Sequence, residues 1–300
     1  HGRFVLEAWL PGADLSSAPR DFSGFTTVSG CDIVRISSLA EQKQLGWHGV
    51  PGDLLMLPIS FDAQAQPRWV LVTSDKFNSP VDPCLIMLCQ ILGALLQQSA
   101  AKEVGIGLIG SAILSSGETR FNTCLFWDER GELLGTYQKH HIPEEEGFWE
   151  TSHYAAGVEG FPVFDFRGWK IGIQICSDMN RPQGSHILAA SGTEIIIGPR
   201  ASEHATYEKW RPVWIASALT TGCYVCSVNR PSPEQAVLLG GASIAVSPDG
   251  TVITESCDAI TVFTARQSTI KKARIDYPGY LPCRSETYAK GWNAIKDNTR

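Results

Sequence analysis

Trp169-Lys-Ile-Gly-Ile-Gln-Ile-Cys176, followed at once by Ser177-Asp-Met-Asn-Arg-Pro182, is the stretch whose reading decides the fold. The first eight residues are an apolar, Ile-rich run of strand length, and Pro182 after a polar turn opens a helix over residues 183–191 that Gly192 stops. Residues 194–198 are the next apolar run. Strand, turn, helix and strand make one unit of a layered α/β fold, and the same alternation continues on both sides. Toward the C-terminus it predicts a helix over 210–221, strands over 223–229 and 242–247, and a turn at Pro248-Asp-Gly250. Toward the N-terminus it predicts strands over 104–113 and 122–127, then a hairpin turn at Asp128-Glu-Arg-Gly131 into a strand over 133–137. The first hundred residues offer strand-like runs at 4–6, 32–36, 53–58 and 69–73 and one helix at 83–102, without a topology that pattern alone supplies.

The chain has 300 residues, 43% hydrophobic and 19% charged, with a formal net charge of -6. That balance is ordinary for a soluble globular protein and argues against nucleic-acid or anionic-membrane partners, which want clustered Lys and Arg. The most apolar stretch, residues 84–96, is broken by Gln90 and is too short to cross a bilayer. Nine cysteines, an odd and scattered set, suit free thiols in a reducing cytoplasm better than a disulfide framework. The spacing of Cys223 and Cys226 resembles a metal or redox motif, but in a strand residues three apart point to opposite faces. Gly105-Ile-Gly107-Leu-Ile-Gly110 has the spacing of a dinucleotide fingerprint, yet it follows a helix and runs into a β-rich segment, the reverse of what that motif needs. The sequence therefore implies no cofactor and no metal. The adjacent His140 and His141 would point apart.

Cys176 falls where strand becomes polar turn, an elbow that presents a thiol at the carboxyl edge of a sheet and aims following backbone N–H groups at a developing oxyanion. Lys139 is delivered from the apolar run Leu133-Leu-Gly-Thr-Tyr-Gln-Lys139, and an ammonium near a thiol lowers its pKa. Of the carboxylates that follow, Glu144-Glu-Glu146 reads as a solvated loop, whereas Glu150 stands among Phe148, Trp149 and Tyr154.

From residue 103 onward the chain resembles the nitrilase, or carbon–nitrogen hydrolase, superfamily, whose members use a Glu-Lys-Cys triad. Residues 122–139 are similar to the segment that ends in the catalytic lysine, with Gln138 in place of the usual Arg. His141-Ile-Pro143, Gly147, Phe148, Glu150, Tyr154 and Gly157 resemble the β-ureidopropionase and N-carbamoylputrescine amidase branches. Gly172-Ile-Gln-Ile-Cys-Ser-Asp178 resembles the nucleophile motif. The resemblance implies a four-layer αββα sandwich with mixed sheets, one domain over residues 1–300 with an atypical N-terminal third at about 13–100, and a cytoplasmic enzyme. It implies hydrolysis of an amide or N-carbamoyl carbon–nitrogen bond, with Cys176 as nucleophile, Lys139 beside the oxyanion and Glu150 supporting the lysine. Ser177, Asn180 and Arg200 are the candidates at the substrate, while Arg181, Arg200 and Arg211 are each able to clamp a substrate carboxylate bidentately. A true nitrilase and an inactive binding or assembly protein are the alternatives. The resemblance also implies a homodimer or larger homo-oligomer, paired through helix 210–221 and the helix beginning near Gln183, with residues 273–280 wrapping a neighbour.

For the general base, Phe4-Val-Leu-Glu-Ala-Trp-Leu-Pro-Gly12 resembles the family's early glutamate segment and makes Glu7 the candidate, although Leu6 stands where Pro is usual. A second alignment sets Asp53-Leu-Leu-Met-Leu-Pro58 on that strand and puts Ile59 in the glutamate's place.

Overall fold

A computed structural model describes residues 2–7, 54–61, 67–73, 83–144, 150–230, 239–258 and 260–295, with side chains from residue 93 onward. Strands β1 (Gly2–Glu7), β2 (Leu54–Phe61) and β3 (Pro67–Thr73) precede helix α1 (Pro83–Val104). Strands β4 (Leu108–Ser116), β5 (Thr119–Trp127) and β6 (Leu133–Gln138) follow as an antiparallel meander. Next come β7 (Val163–Phe166), β8 (Trp169–Ile173), α2 (Pro182–Ala190), β9 (Ile195–Arg200), α3 (Tyr207–Thr221) and β10 (Tyr224–Asn229). The described chain closes with β11 (Ser243–Val246), β12 (Val252–Ser256), β13 (Ile260–Ala265), α4 (Gln267–Ile275) and α5 (Ser285–Ala294).

Strands β7 to β12 form one mixed sheet in the order β12-β11-β10-β9-β8-β7, with β8, β9 and β10 parallel and their neighbours antiparallel. Parallel neighbours end together, so residues after β8, β9 and β10 gather at one edge of the sheet. Strand β1 pairs antiparallel with β13, and β2 with β3.

Alternation along the strands stacks these sheets into layers. On β5, Cys124 and Phe126 face a central core that also holds Ile171, Ile173, Ile195 and Tyr224 of the six-stranded sheet. Leu125 and Trp127, between and beyond them, face the opposite way and pack with Ala101 of α1. In the six-stranded sheet Ile196 and Val225 turn away from the central core and pack with Leu188 of α2 and Trp214 and Ala218 of α3. The sequence of layers is helix, sheet, sheet, helix: a four-layer αββα sandwich. Cys223 and Cys226 obey the same rule, the first packing on the helix side and the second in the central core.

Most expected elements are present with ends shifted by one to three residues. The exception is the stretch 104–113, expected as strand from its first residue. Helix α1 runs to Val104, and Gly105, at φ 68, ends it by donating its N–H to the Ala101 carbonyl at 2.9 Å; the strand begins at Leu108. Gly105 is a helix stop of the left-handed kind. The strand-like run at 32–36 lies outside the described residues. Residues 273–280, expected to wrap a neighbour, begin as the last turn of α4 and continue past a cis Tyr277–Pro278 bond, with Ile275, Tyr277 and Tyr280 exposed.

Candidate active site

Strand β8 ends at Ile173, and the backbone turns at Cys176, whose φ is 49, into a short 3₁₀ turn spanning Cys176–Asn180. A left-handed conformation at a residue with a Cβ is held only where surroundings enforce it, and it throws the thiol out of the strand direction. The turn is locked from below. Met179 is buried over β9, where Gly198 leaves it room: a Cβ at residue 198 would stand 1.8 Å from the Met179 sulfur.

Lys139 directly follows β6, in the other sheet. Its N–H donates to the Asn122 carbonyl at 2.9 Å and its own carbonyl accepts from Gly157 N–H at 2.8 Å, so both neighbours hold its backbone. The side chain is 1% exposed, and its Nζ meets Glu150 Oε2 at 2.6 Å, with Glu150 14% exposed. Glu150 opens a 3₁₀ turn (Glu150–Ser152), and its N–H donates to Pro143 O at 3.1 Å. An ammonium this deeply buried requires a partner, and Glu150 is it.

Cys176 faces this pair. Burial pushes its thiol above the ordinary range; Lys139 and Arg200 pull it back down, Glu150 pushes it up, and the Ala201 N–H, donating to the sulfur, also lowers it. The structure thus brings Lys139, Glu150 and Cys176 together from two different sheets, with the end of β9 as a third side.

The other expected site residues are placed as follows. Ser177 Oγ donates to the His141 carbonyl. Asn180 Oδ1 is buried with no hydrogen-bond partner among the described residues. Arg200 is buried, donating through Nε to Ser227 Oγ at 2.9 Å and also to Ser202 Oγ and the Ala242 carbonyl, while its guanidinium lies 4.7 Å from the Trp214 ring centroid. Desolvation lowers its pKa to about 10. Arg211, another candidate for clamping a substrate carboxylate, is instead bidentate to Glu255 across α3 and β12. Glu7 ends β1 opposite Ile260 of β13; its side chain lies outside the described residues. Ile59 falls at a register shift in β2 between Pro58 and Ser60, and its side chain is likewise outside them. Glu145, Glu146, Phe148 and Trp149 also lie outside.

Two contributors escaped sequence reasoning. Ala201 reaches the sulfur because β8 and β9 are parallel neighbours, a relation that pattern along the chain does not reveal. Asp178, fully buried, collects donors from residues 137 to 141, and only its position two places after Cys176 hinted at a role.

The family model described as carbon–nitrogen hydrolase matches residues 75–268. The chain belongs to the carbon–nitrogen hydrolase family. That match takes in Lys139, Glu150 and Cys176 and begins after both Glu7 and Ile59. Among curated relatives, the chain is 26% identical to an N-carbamoylputrescine amidase of Arabidopsis thaliana over 209 residues, 64% of this chain and 70% of the relative. It is 28% identical to a citrullinase of Francisella tularensis over 146 residues, 46% of this chain and 51% of the relative, so it spans only about half of that protein's length. Among solved structures, a carbon–nitrogen hydrolase of Helicobacter pylori superposes with a TM-score of 0.64 at 20% identity, covering 72% of this chain and 81% of that one, a likeness of fold. No helix among the described residues is long and apolar enough to cross a membrane.

Proposed function

We propose that this carbon–nitrogen hydrolase cleaves an amide or N-carbamoyl bond through a thioester on Cys176. The observation that carries the reading is a thiol on a left-handed elbow, facing a buried Lys139–Glu150 pair. Glu7 accepts the thiol proton, and the Cys176 sulfur bonds to the carbonyl carbon. The oxyanion is held by Lys139 Nζ and by backbone N–H groups after Cys176. The proton passes from Glu7 to the leaving nitrogen, the carbon–nitrogen bond breaks, and ammonia or an amine departs. Glu7 then takes a proton from water, the resulting hydroxide attacks the thioester, the carbon–sulfur bond breaks to release the acid, and Glu7 gives its proton to the departing sulfur to restore the thiol. Glu150 holds Lys139 in place, while Ser177, Asn180 and Arg200 border the substrate.

An N-carbamoyl or amide substrate is preferred to a nitrile because Cys-Ser-Asp follows the amidase pattern and because the first relative is named for an N-carbamoyl amine. The test is ammonia release from N-carbamoyl amino acids, primary amides and nitriles, with Glu7→Gln run beside the parent. Release from ureido or amide substrates, lost with Glu7→Gln, is expected. Release from nitriles alone would make the protein a nitrilase. Full turnover by Glu7→Gln would remove Glu7 as the base, and silence across the panel from folded protein would favour the binding-protein reading.

The outer faces of α2 and α3, which carry exposed Ile187 and Leu219, are the proposed contact between two copies. A dimer mass by light scattering is the expected result, and a monomer at micromolar concentration would refute the contact.

A further inference from the structure

Lys139 and Cys176 are carried by different sheets, and Asp178 bridges the gap between their backbones. On the lysine side its buried carboxylate accepts from Tyr137 OH at 2.8 Å, His141 N–H at 2.8 Å, His141 Nδ1–H at 2.7 Å and His140 N–H at 3.2 Å. On the cysteine side it accepts from Ile175 N–H at 3.2 Å. These donors stand two residues before Lys139, one and two residues after it, and immediately before Cys176. Asp178 is itself fixed: its N–H donates to Ile175 O at 2.9 Å, and its carbonyl accepts from Arg181 N–H at 3.0 Å and Gln174 Nε2 at 3.1 Å. A carboxylate has about four lone-pair sites, enough to serve donors arriving from two directions. Asparagine at this position would turn an NH2 group toward one of those sets of N–H donors.

We propose that Asp178 is the positioning residue of this site, setting the Lys139 ammonium against the Cys176 sulfur by tying both backbones to one buried carboxylate. The inference rests on Cys176 and Lys139 being the reacting groups proposed above. A carboxylate that merely filled the core would need its donors satisfied. It would not need them drawn from both sides of the lysine and from the residue before the thiol.

The test is the pH dependence of Cys176 alkylation by iodoacetamide, followed at that residue by peptide mass spectrometry because Cys257 and Cys283 are also exposed. The groups facing Cys176 are Lys139, Glu150, Arg200 and the Ala201 N–H, and the pull of Lys139 outweighs the push of Glu150. Loosening the lysine segment therefore moves the alkylation midpoint to higher pH. For Asp178→Asn we expect that upward shift, together with a fall in kcat on the order of 100-fold and little change in KM, the signature of misplacement rather than lost binding. A folded Asp178→Asn protein with the parent's alkylation midpoint overturns the proposal, whatever its melting temperature. If Asp178→Asn does not fold, the double variant Tyr137→Phe/His141→Ala, which removes two side-chain donors and keeps the backbone ones, takes its place. An upward midpoint then supports the proposal and an unchanged one overturns it. A parent protein silent on every substrate would count against the hydrolase reading alone, since alkylation needs no turnover.

Discussion

Cys176→Ala is expected to reduce turnover to background while leaving the fold and its melting temperature close to those of the parent. The two halves of that expectation have separate causes. Without the sulfur there is no thioester, and removing a nucleophile of this kind costs roughly 10⁴-fold or more in kcat. Stability is spared because the side chain is small and only half-buried, so losing one sulfur atom opens little space. The backbone at residue 176 keeps its φ of 49, a conformation no easier for alanine than for cysteine and already enforced by the Asp178 and Met179 anchorage. The measurement is steady-state ammonia release on the best substrate, with a thermal melt on the same preparation. Retained turnover in a folded Cys176→Ala protein would end the covalent mechanism.

The second large effect is on stability. Glu150→Leu leaves the Lys139 ammonium, 1% exposed, without its counter-charge, at a cost of about 3–5 kcal/mol. In a protein of ordinary stability this is a large fraction of the total, and it should lower the melting temperature by on the order of 10 °C. The converse change, Lys139→Met, should cost less, because the carboxylate it leaves behind is 14% exposed and can draw on water. The double variant Glu150→Leu/Lys139→Met should recover most of the loss, since an apolar pair of similar volume avoids desolvating two charges. All three should lack activity. Thermal melts of the three proteins form a double-mutant cycle; additive losses would show that the 2.6 Å contact carries no coupling energy.

What could be read along the chain was what depends on near neighbours. The elbow at Cys176 follows from an apolar run meeting Ser-Asp-Met-Asn-Arg-Pro, and the arrival of Lys139 follows from a hairpin whose turn, Asp128-Glu-Arg-Gly131, is plain. The four-layer arrangement was legible only through resemblance, because alternation along β5 says that two faces are buried but not what covers each. Asp178 was illegible for a different reason: its partners on the lysine side lie 37 to 41 residues away, and no local preference encodes that distance. Helix α4 was missed because it buries a single residue, Ile270, among Lys and Arg, so its apolar stripe is too thin to register.

Because the two proposed reacting groups, Cys176 and Lys139, are mounted on different stacked sheets, their alignment is a property of the interior between them. Each sheet is internally rigid, held by its own ladder of backbone bonds, while the two meet through side chains such as Phe126, Tyr137, Ile171 and Ile173. A slip of one plate over the other would leave every strand and helix intact and still take the ammonium away from the sulfur. The proposed chemistry is therefore more fragile than the architecture, and temperature adaptation would be written in the packing of that middle layer, which reaches up to Cys176 itself.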